Sequence, residues 1–240
     1  MVASVQIGAG ITVGAGVNIG PFPVHALVLN LDANNPASYN GSGTTWTDIS
    51  GFNNNVSMVN SGSITWNSGT PSYFSTGPNG YFNSPGNATI PTGNTLYTFN
   101  IWVSSPGQGS WGSNGILSVG GFEVSNQSNA FRVSGYPYLD NYWWANDFST
   151  YTDAPSTGWF LATVTYDGIN RNIYVNGVLQ GSSPSSGHNV TSTNVNIAAT
   201  WTGSSETLYG DIGAAQIYNY ALSQTVITNY FNATRGTYGF

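Results

Sequence analysis

The sequence contains no cysteine and no lysine, and only 5% of its 240 residues are charged, against about 25% in an ordinary soluble domain. Without cysteine there is neither a disulfide framework nor a thiolate metal site, so stability must come from packing, and the redox compartment stays open. Arg132, Arg171 and Arg235 are the only arginines, and the net charge is −6. A phosphate-tracking surface needs clustered Lys and Arg, so nucleic acid is not an expected partner. No run approaches the ~18 apolar residues of a membrane span, and the N-terminus lacks the basic and apolar regions of a classical secretion signal. Solubility rests instead on Asn, Ser, Thr and Gly.

What is present begins with a six-residue period: Ile7-Gly8-Ala9-Gly10-Ile11-Thr12, then Val13-Gly14-Ala15-Gly16-Val17-Asn18, then Ile19-Gly20-Pro21. β-Branched residues alternating with glycine read as a thin extended strand that cannot bury both faces alone. Residues 1–23 are therefore expected to be an assembly arm, with Ile7, Ile11, Val13, Val17 and Ile19 as its apolar contacts. About 20 extended residues reach roughly 65–70 Å, enough to cross a neighbouring subunit of a homo-oligomer such as a trimer. A Gly-rich tail without structure is the competing reading.

From residue 24 to 240 the signals are those of one domain of many short strands. Apolar or alternating runs at 26–31, 98–103, 116–119, 160–166 and 172–175 are bounded by Gly, Asn, Pro and Ser clusters. Asp167-Gly168 and Asn176-Gly177 are tight-turn pairs that predict an antiparallel meander. A single short helix is expected near the C-terminus, with Leu222, Val226, Ile227, Tyr230 and Phe231 on one face, Ser223 as its cap and Gly236 as its end.

Three motifs in this order resemble the laminin-G-like jelly rolls of the concanavalin A-like lectin/glucanase superfamily. They are Leu27-Val28-Leu29-Asn30-Leu31-Asp32 with Thr45-Trp46-Thr47-Asp48, then Trp159 to Asp167-Gly168 with Tyr174-Val175-Asn176-Gly177, then Gly210-Asp211-Ile212-Gly213 with Ile217-Tyr218. The resemblance implies an all-β antiparallel sandwich. It also implies a virion component, such as a capsid decoration, fibre or tail-associated protein that partners other virion proteins; a free-standing carbohydrate-binding lectin is the alternative. Hydrolysis in the glucanase branch needs clustered carboxylates, Glu-x-Asp-x-Glu, whereas this chain has only Glu123 and Glu206, far apart. Neither His25 nor His188 sits in a serine-nucleophile motif, so no catalytic residue and no enzyme activity is expected.

One segment concentrates binding chemistry: Tyr138, Asp140, Asn141, Tyr142, Trp143, Trp144, Asn146 and Asp147. Adjacent tryptophans on a strand point to opposite faces, so Trp143 and Trp144 cannot both be in the core. An exposed indole stacks on the apolar face of a sugar while neighbouring carboxylates and amides meet its hydroxyls, which makes the segment a candidate platform for cell-surface glycans. The competing reading is a Trp-rich core strand with one ring under a loop or at a subunit interface. Trp111 and Trp201 are further loop aromatics, and Trp46, Trp102 and Trp159 are expected in the core. No cofactor is required. Calcium is the ion such loops could hold, through Asp140, Asp147 and Asp153, whereas Asp32 and Asp48 suit turn capping.

Overall fold

The computed structural model describes residues 6–7, 11–12, 27–105, 114–122, 124–133, 138–150, 154–155, 157–203 and 205–240. In chain order the strands are β1 (Gln6–Ile7), β2 (Ile11–Thr12), β3 (Leu27–Asp32), β4 (Thr45–Trp46), β5 (Val56–Val59), β6 (Ile64–Asn67), β7 (Tyr73–Thr76), β8 (Tyr81–Ser84) and β9 (Tyr97–Ser105). They continue as β10 (Asn114–Gly120), β11 (Ser128–Val133), β12 (Leu139–Tyr142), β13 (Phe148–Ser149), β14 (Gly158–Tyr166), β15 (Asn170–Val175), β16 (Val178–Pro184), β17 (Val195–Ile197) and β18 (Gly210–Tyr218). Helix α1 (Gln224–Thr234) follows.

Two antiparallel sheets make the sandwich. The front sheet runs β13-β12-β11-β10-β17-β8-β5-β4, and the back sheet runs β16-β15-β14-β9-β18-β7-β6, with β3 also on β18. Strand alternation sends Phe99, Ile101 and Val103 of β9, and Phe160, Ala162 and Val164 of β14, into the shared interior, where they are fully buried. The core has two aromatic centres. At one, Trp46, Phe74 and Phe82 pack with centroids 4.7–5.2 Å apart; at the other, Tyr97, Trp143, Tyr166 and His188 meet.

The expected meander forms as β14-β15-β16, and the β15–β16 turn places Asn176 at φ 52° and Gly177 at φ 79°, the left-handed pair that a two-residue hairpin requires. Asp48 caps as expected: Oδ1 accepts from the amides of Asn30 and Ser50, and Oδ2 from that of Asn54. Helix α1 starts on its Ser223 cap. It does not end at Gly236; the chain tightens into a 3₁₀ turn, Arg235–Tyr238, and Gly239 ends that at φ 88°. The tighter turn brings Tyr238 back onto the sheet, stacked on Trp102 at 4.1 Å.

Within the arm, β1 and β2 pair antiparallel, Ile7 opposite Ile11, so this stretch folds back instead of running as one straight strand. Val13, Val17 and Ile19 lie outside the described residues, as do Trp111, Asp153 and His25. Among the described residues no helix is long and apolar enough to cross a membrane.

Candidate functional site

Strand β12 separates two environments. Leu139, Asn141 and the following Trp143 face the interior, while Asp140, Tyr142 and Trp144 face outward, as the period of two demands. Its neighbour β11 sets Arg132 directly opposite Asp140, and the pair closes as an ion pair, Nε to Oδ2 at 2.8 Å. The same guanidinium lies over the Tyr142 ring at 3.8 Å and gives NH1 to Glu206 Oε2 at 3.1 Å. Burial pushes the Asp140 carboxyl above its ordinary range, against the pull of Arg132. Burial is also the first cause that pushes the Tyr142 hydroxyl up to about 12; Arg132 opposes the rise, and Asp147, Glu206 and Asp140 add to it.

A continuous aromatic strip extends from this ion group. Tyr142 meets Trp144 edge-on at 5.8 Å, Trp144 meets Phe122 edge-on at 5.2 Å, and Phe122 stacks on Trp201 at 3.4 Å and 12°. Trp144, Phe122 and Trp201 are all half-buried, so each keeps part of a ring in water. Trp201 and Glu206 come from the loop between Ala199 and Thr207, which bridge each other. That loop is pinned to the sheet by Thr202 Oγ1 on Asn196 Oδ1 at 3.0 Å and by the Gly203 amide on the Tyr81 hydroxyl at 2.9 Å. Trp144 and Ala145 sit at φ 61° and 63°, two successive left-handed residues with Cβ atoms, a conformation that surrounding structure must hold in place. Asp147 does so, its Oδ1 accepting from the amides of both Trp143 and Trp144 at 3.0 and 3.1 Å.

Beneath the strand the chemistry is closed. Trp143 is fully buried, stacked on His188 at 3.8 Å and 2°, with the Arg171 guanidinium 3.9 Å from the indole centroid and Nε1 donating to the Tyr97 hydroxyl at 3.2 Å. Among the described residues Arg171 has no carboxylate in contact; it donates to Ser185 Oγ at 2.8 Å, the Asn141 carbonyl at 2.9 Å and Asn146 Oδ1 at 3.4 Å. His188 donates from Nε2 to the Ser128 carbonyl at 3.1 Å, and its Nδ1 is buried without a partner among the described residues. Burial, with Arg171 nearby, holds this imidazole down at about 4.

The sequence-predicted residues therefore separate. Tyr142, Trp144 and Asp147 stay at the outward strip, and Asp140 supports it from beneath at 1% exposure. Trp143 and Asn141 leave the candidate set, because even spacing with Leu139 puts both in the core. Asn146 lines an open cleft of about 370 Å³ with Ile169, Pro184, Ser185 and Ser186. Tyr138 precedes β12 and is half-buried. Sequence reasoning did not find Phe122, Arg132 or Glu206. A usable signal existed, because in a chain with so few charges the Arg132, Asp140 and Glu206 side chains had few alternatives to one another. Of the three aspartates named for calcium, Asp140 is ion-paired with Arg132 and Asp147 accepts from backbone amides, while Asp153 lies outside the described residues.

No curated protein sequence matches this one. Solved structures do share its fold. The binding domain of Paraclostridial Mosquitocidal Protein 1 matches at TM-score 0.66 and 16% identity over 87% of this chain and 52% of that one. Domain 4 of an extracellular arabinanase from Geobacillus stearothermophilus, in complex with arabinotriose, matches at 0.66 and 14% over 85% and 97%. Botulinum neurotoxin type C, whose cell entry depends on interaction with two ganglioside molecules, matches at 0.60 and 19% over 87% and 51%. The chain thus spans about half the length of the toxin structures and nearly all of the arabinanase domain. Residues 75–228, more than half of the chain, match the Laminin_G_3 family model, so the chain, a sandwich of two antiparallel sheets, belongs to the concanavalin A-like lectin/glucanase superfamily.

Proposed function

We propose that this domain is a non-enzymatic carbohydrate-binding module that stacks sugar rings on the strip Trp144–Phe122–Trp201 and meets their hydroxyls with Asp147, Glu206 and Arg132. The observation that carries this reading is the strip itself: three half-buried rings in contact, ending at hydrogen-bonding groups. An apolar face beside fixed polar groups is what a sugar, with one apolar face and a hydroxyl rim, requires. The arabinotriose- and ganglioside-linked structures of the same fold support it. The non-enzymatic half rests on the carboxylates. Asp140 and Glu206 both hold Arg132, which ties them into an ion group instead of presenting an acid and a base across a bond. Trp144→Ala tests the platform: binding on a glycan array and by calorimetry should weaken at least about tenfold, with less than about 1 kcal/mol lost in stability. Unchanged binding by a folded variant would sink the reading.

The proposal extends to setting. The module is displayed on a virion, held or oligomerised by residues 1–23. The six-residue period supports an arm with a repeated contact, and the β1–β2 pairing gives it a two-stranded edge to offer a neighbour. Light scattering of the full chain should give a trimer or larger, and a chain starting at Val24 a monomer. Two monomers would remove the assembly role and leave the free-standing lectin.

A further inference from the structure

We infer that the strip selects neutral sugars and turns away glycans whose contacting sugar carries a carboxylate. This rests on the strip being the sugar platform, and it adds the substrate class. A sugar carboxylate is recognised by the paired N–H edge of a guanidinium or by an ammonium. Arg132, the cation at the strip, has no complete edge left: Nε, half of the side-on pair, is bonded to Asp140, and NH1, half of the end-on pair, to Glu206, at 2.8 and 3.1 Å, while its plane rests on Tyr142. The charged groups acting on the Tyr142 hydroxyl are Arg132, Asp147, Glu206 and Asp140, three carboxylates against one guanidinium. A ligand anion placed on Trp144 therefore meets an excess of negative charge, with 30% of the Glu206 side chain open to solvent.

Neither of the other two arginines reverses this sign. The sequence has no lysine. Arg171 is 1% exposed and held by Ser185, Asn141 and Asn146 under β12. Arg235 lies near Phe231 at the end of α1, on the back sheet. With a net charge of −6 the long-range field has the same sign as the local one. Hydroxyls, by contrast, suit carboxylate acceptors and the aromatic faces.

The experiment compares matched pairs of glycans, a neutral oligosaccharide and the same chain ending in sialic or uronic acid, by calorimetry on the full-length protein. The neutral member should bind, and the acidic one at least about tenfold more weakly at about 0.01 M salt, the gap closing towards about 1 M as screening shortens the reach of the charges. Glu206→Gln and, separately, Asp147→Asn should each narrow the gap; the second leaves the Arg132 ion group intact, so misfolding of the first does not end the test. An acidic glycan that binds as tightly as its neutral partner, with Trp144→Ala still abolishing both, overturns the inference and keeps the platform. If neither glycan binds, the platform fails and the inference falls with it.

Discussion

The two sheets each place a tryptophan on their outer face, and the molecule treats the two differently. Trp102 of β9 is 1% exposed: Tyr238 stacks on it at 4.1 Å, Phe231 at 5.8 Å, and its Nε1 donates to Thr234 Oγ1 at 3.0 Å. Among the described residues the rings against Trp144, Phe122 and Tyr142, meet it edge-on, and it keeps part of its surface in water. The polar rows beside them differ in the same way. On the back sheet Asn30, Gln216, Asn100 and Thr163 form one buried row across four strands, each side chain satisfied by the next at 2.5–3.1 Å. On the front sheet the row Ser118, Asn196, Asn83 reaches Thr202 of the Trp201 loop, at the solvent edge. An outer-face indole is thus structural or available according to what closes over it. On the back sheet a helix does, whereas on the front sheet two loops lie beside it, each with one aromatic, Phe122 and Trp201.

The largest effect expected on either face follows from this. Trp102→Ala should cost about 3–5 kcal/mol, because it removes a fully buried ring and leaves Thr234, Tyr238 and Phe231 around a cavity. Urea unfolding followed by tryptophan fluorescence measures it. A loss below about 1 kcal/mol would mean that α1 is a loose cover, and the contrast between the two faces would collapse. The Trp144→Ala variant is the matching change on the front sheet, small in stability and large in glycan affinity. Interchanged outcomes for the two tryptophans would reverse the assignment of the faces.

Much of this was legible in the sequence, for a local reason. Turn pairs such as Asn176-Gly177 and capping residues such as Ser223 and Asp48 act within a few residues, so their chemistry could be read without a partner. Alternation along β12 separated Trp143 from Trp144, but it could not say which was inside. That depended on Arg171, His188 and Tyr97, which lie far away in the chain and converge only in the sandwich. The strip was hidden for the same reason: Phe122, Trp144 and Trp201 come from three separate connections. Gly236 marked a helix end in the sequence, yet packing of Tyr238 on Trp102 drew the chain into a further turn, and packing outweighed the local signal.

A smaller effect distinguishes the ends of the sandwich by acid. His188 is neutral and stacked beneath the site strand, with its folded value near 4 and an unfolded value of 6.5, so protons bind the unfolded chain more readily. Stability is then complete above about pH 6.5 and falls progressively as pH drops towards about 4, by up to about 3 kcal/mol. Asp140, raised by burial, works in the opposite sense, because protonating it on acidification favours the folded form. Urea midpoints of the wild type and His188→Gln at about pH 7.5 and about pH 4.5 separate the two: the wild type should lose more on acidification than the variant. Hydrogen exchange should place the loss at β11 and β12, since Nε2 holds Ser128 and the ring plane holds Trp143, while α1 and the Trp102 stack carry no histidine and should keep their protection. If acid instead opened the helix side first, the platform would rest on the firmer half of the molecule. The raised carboxyls Asp32 and Asp211 on the back sheet could not account for such an opening, because their sign predicts a gain on acidification and not a loss.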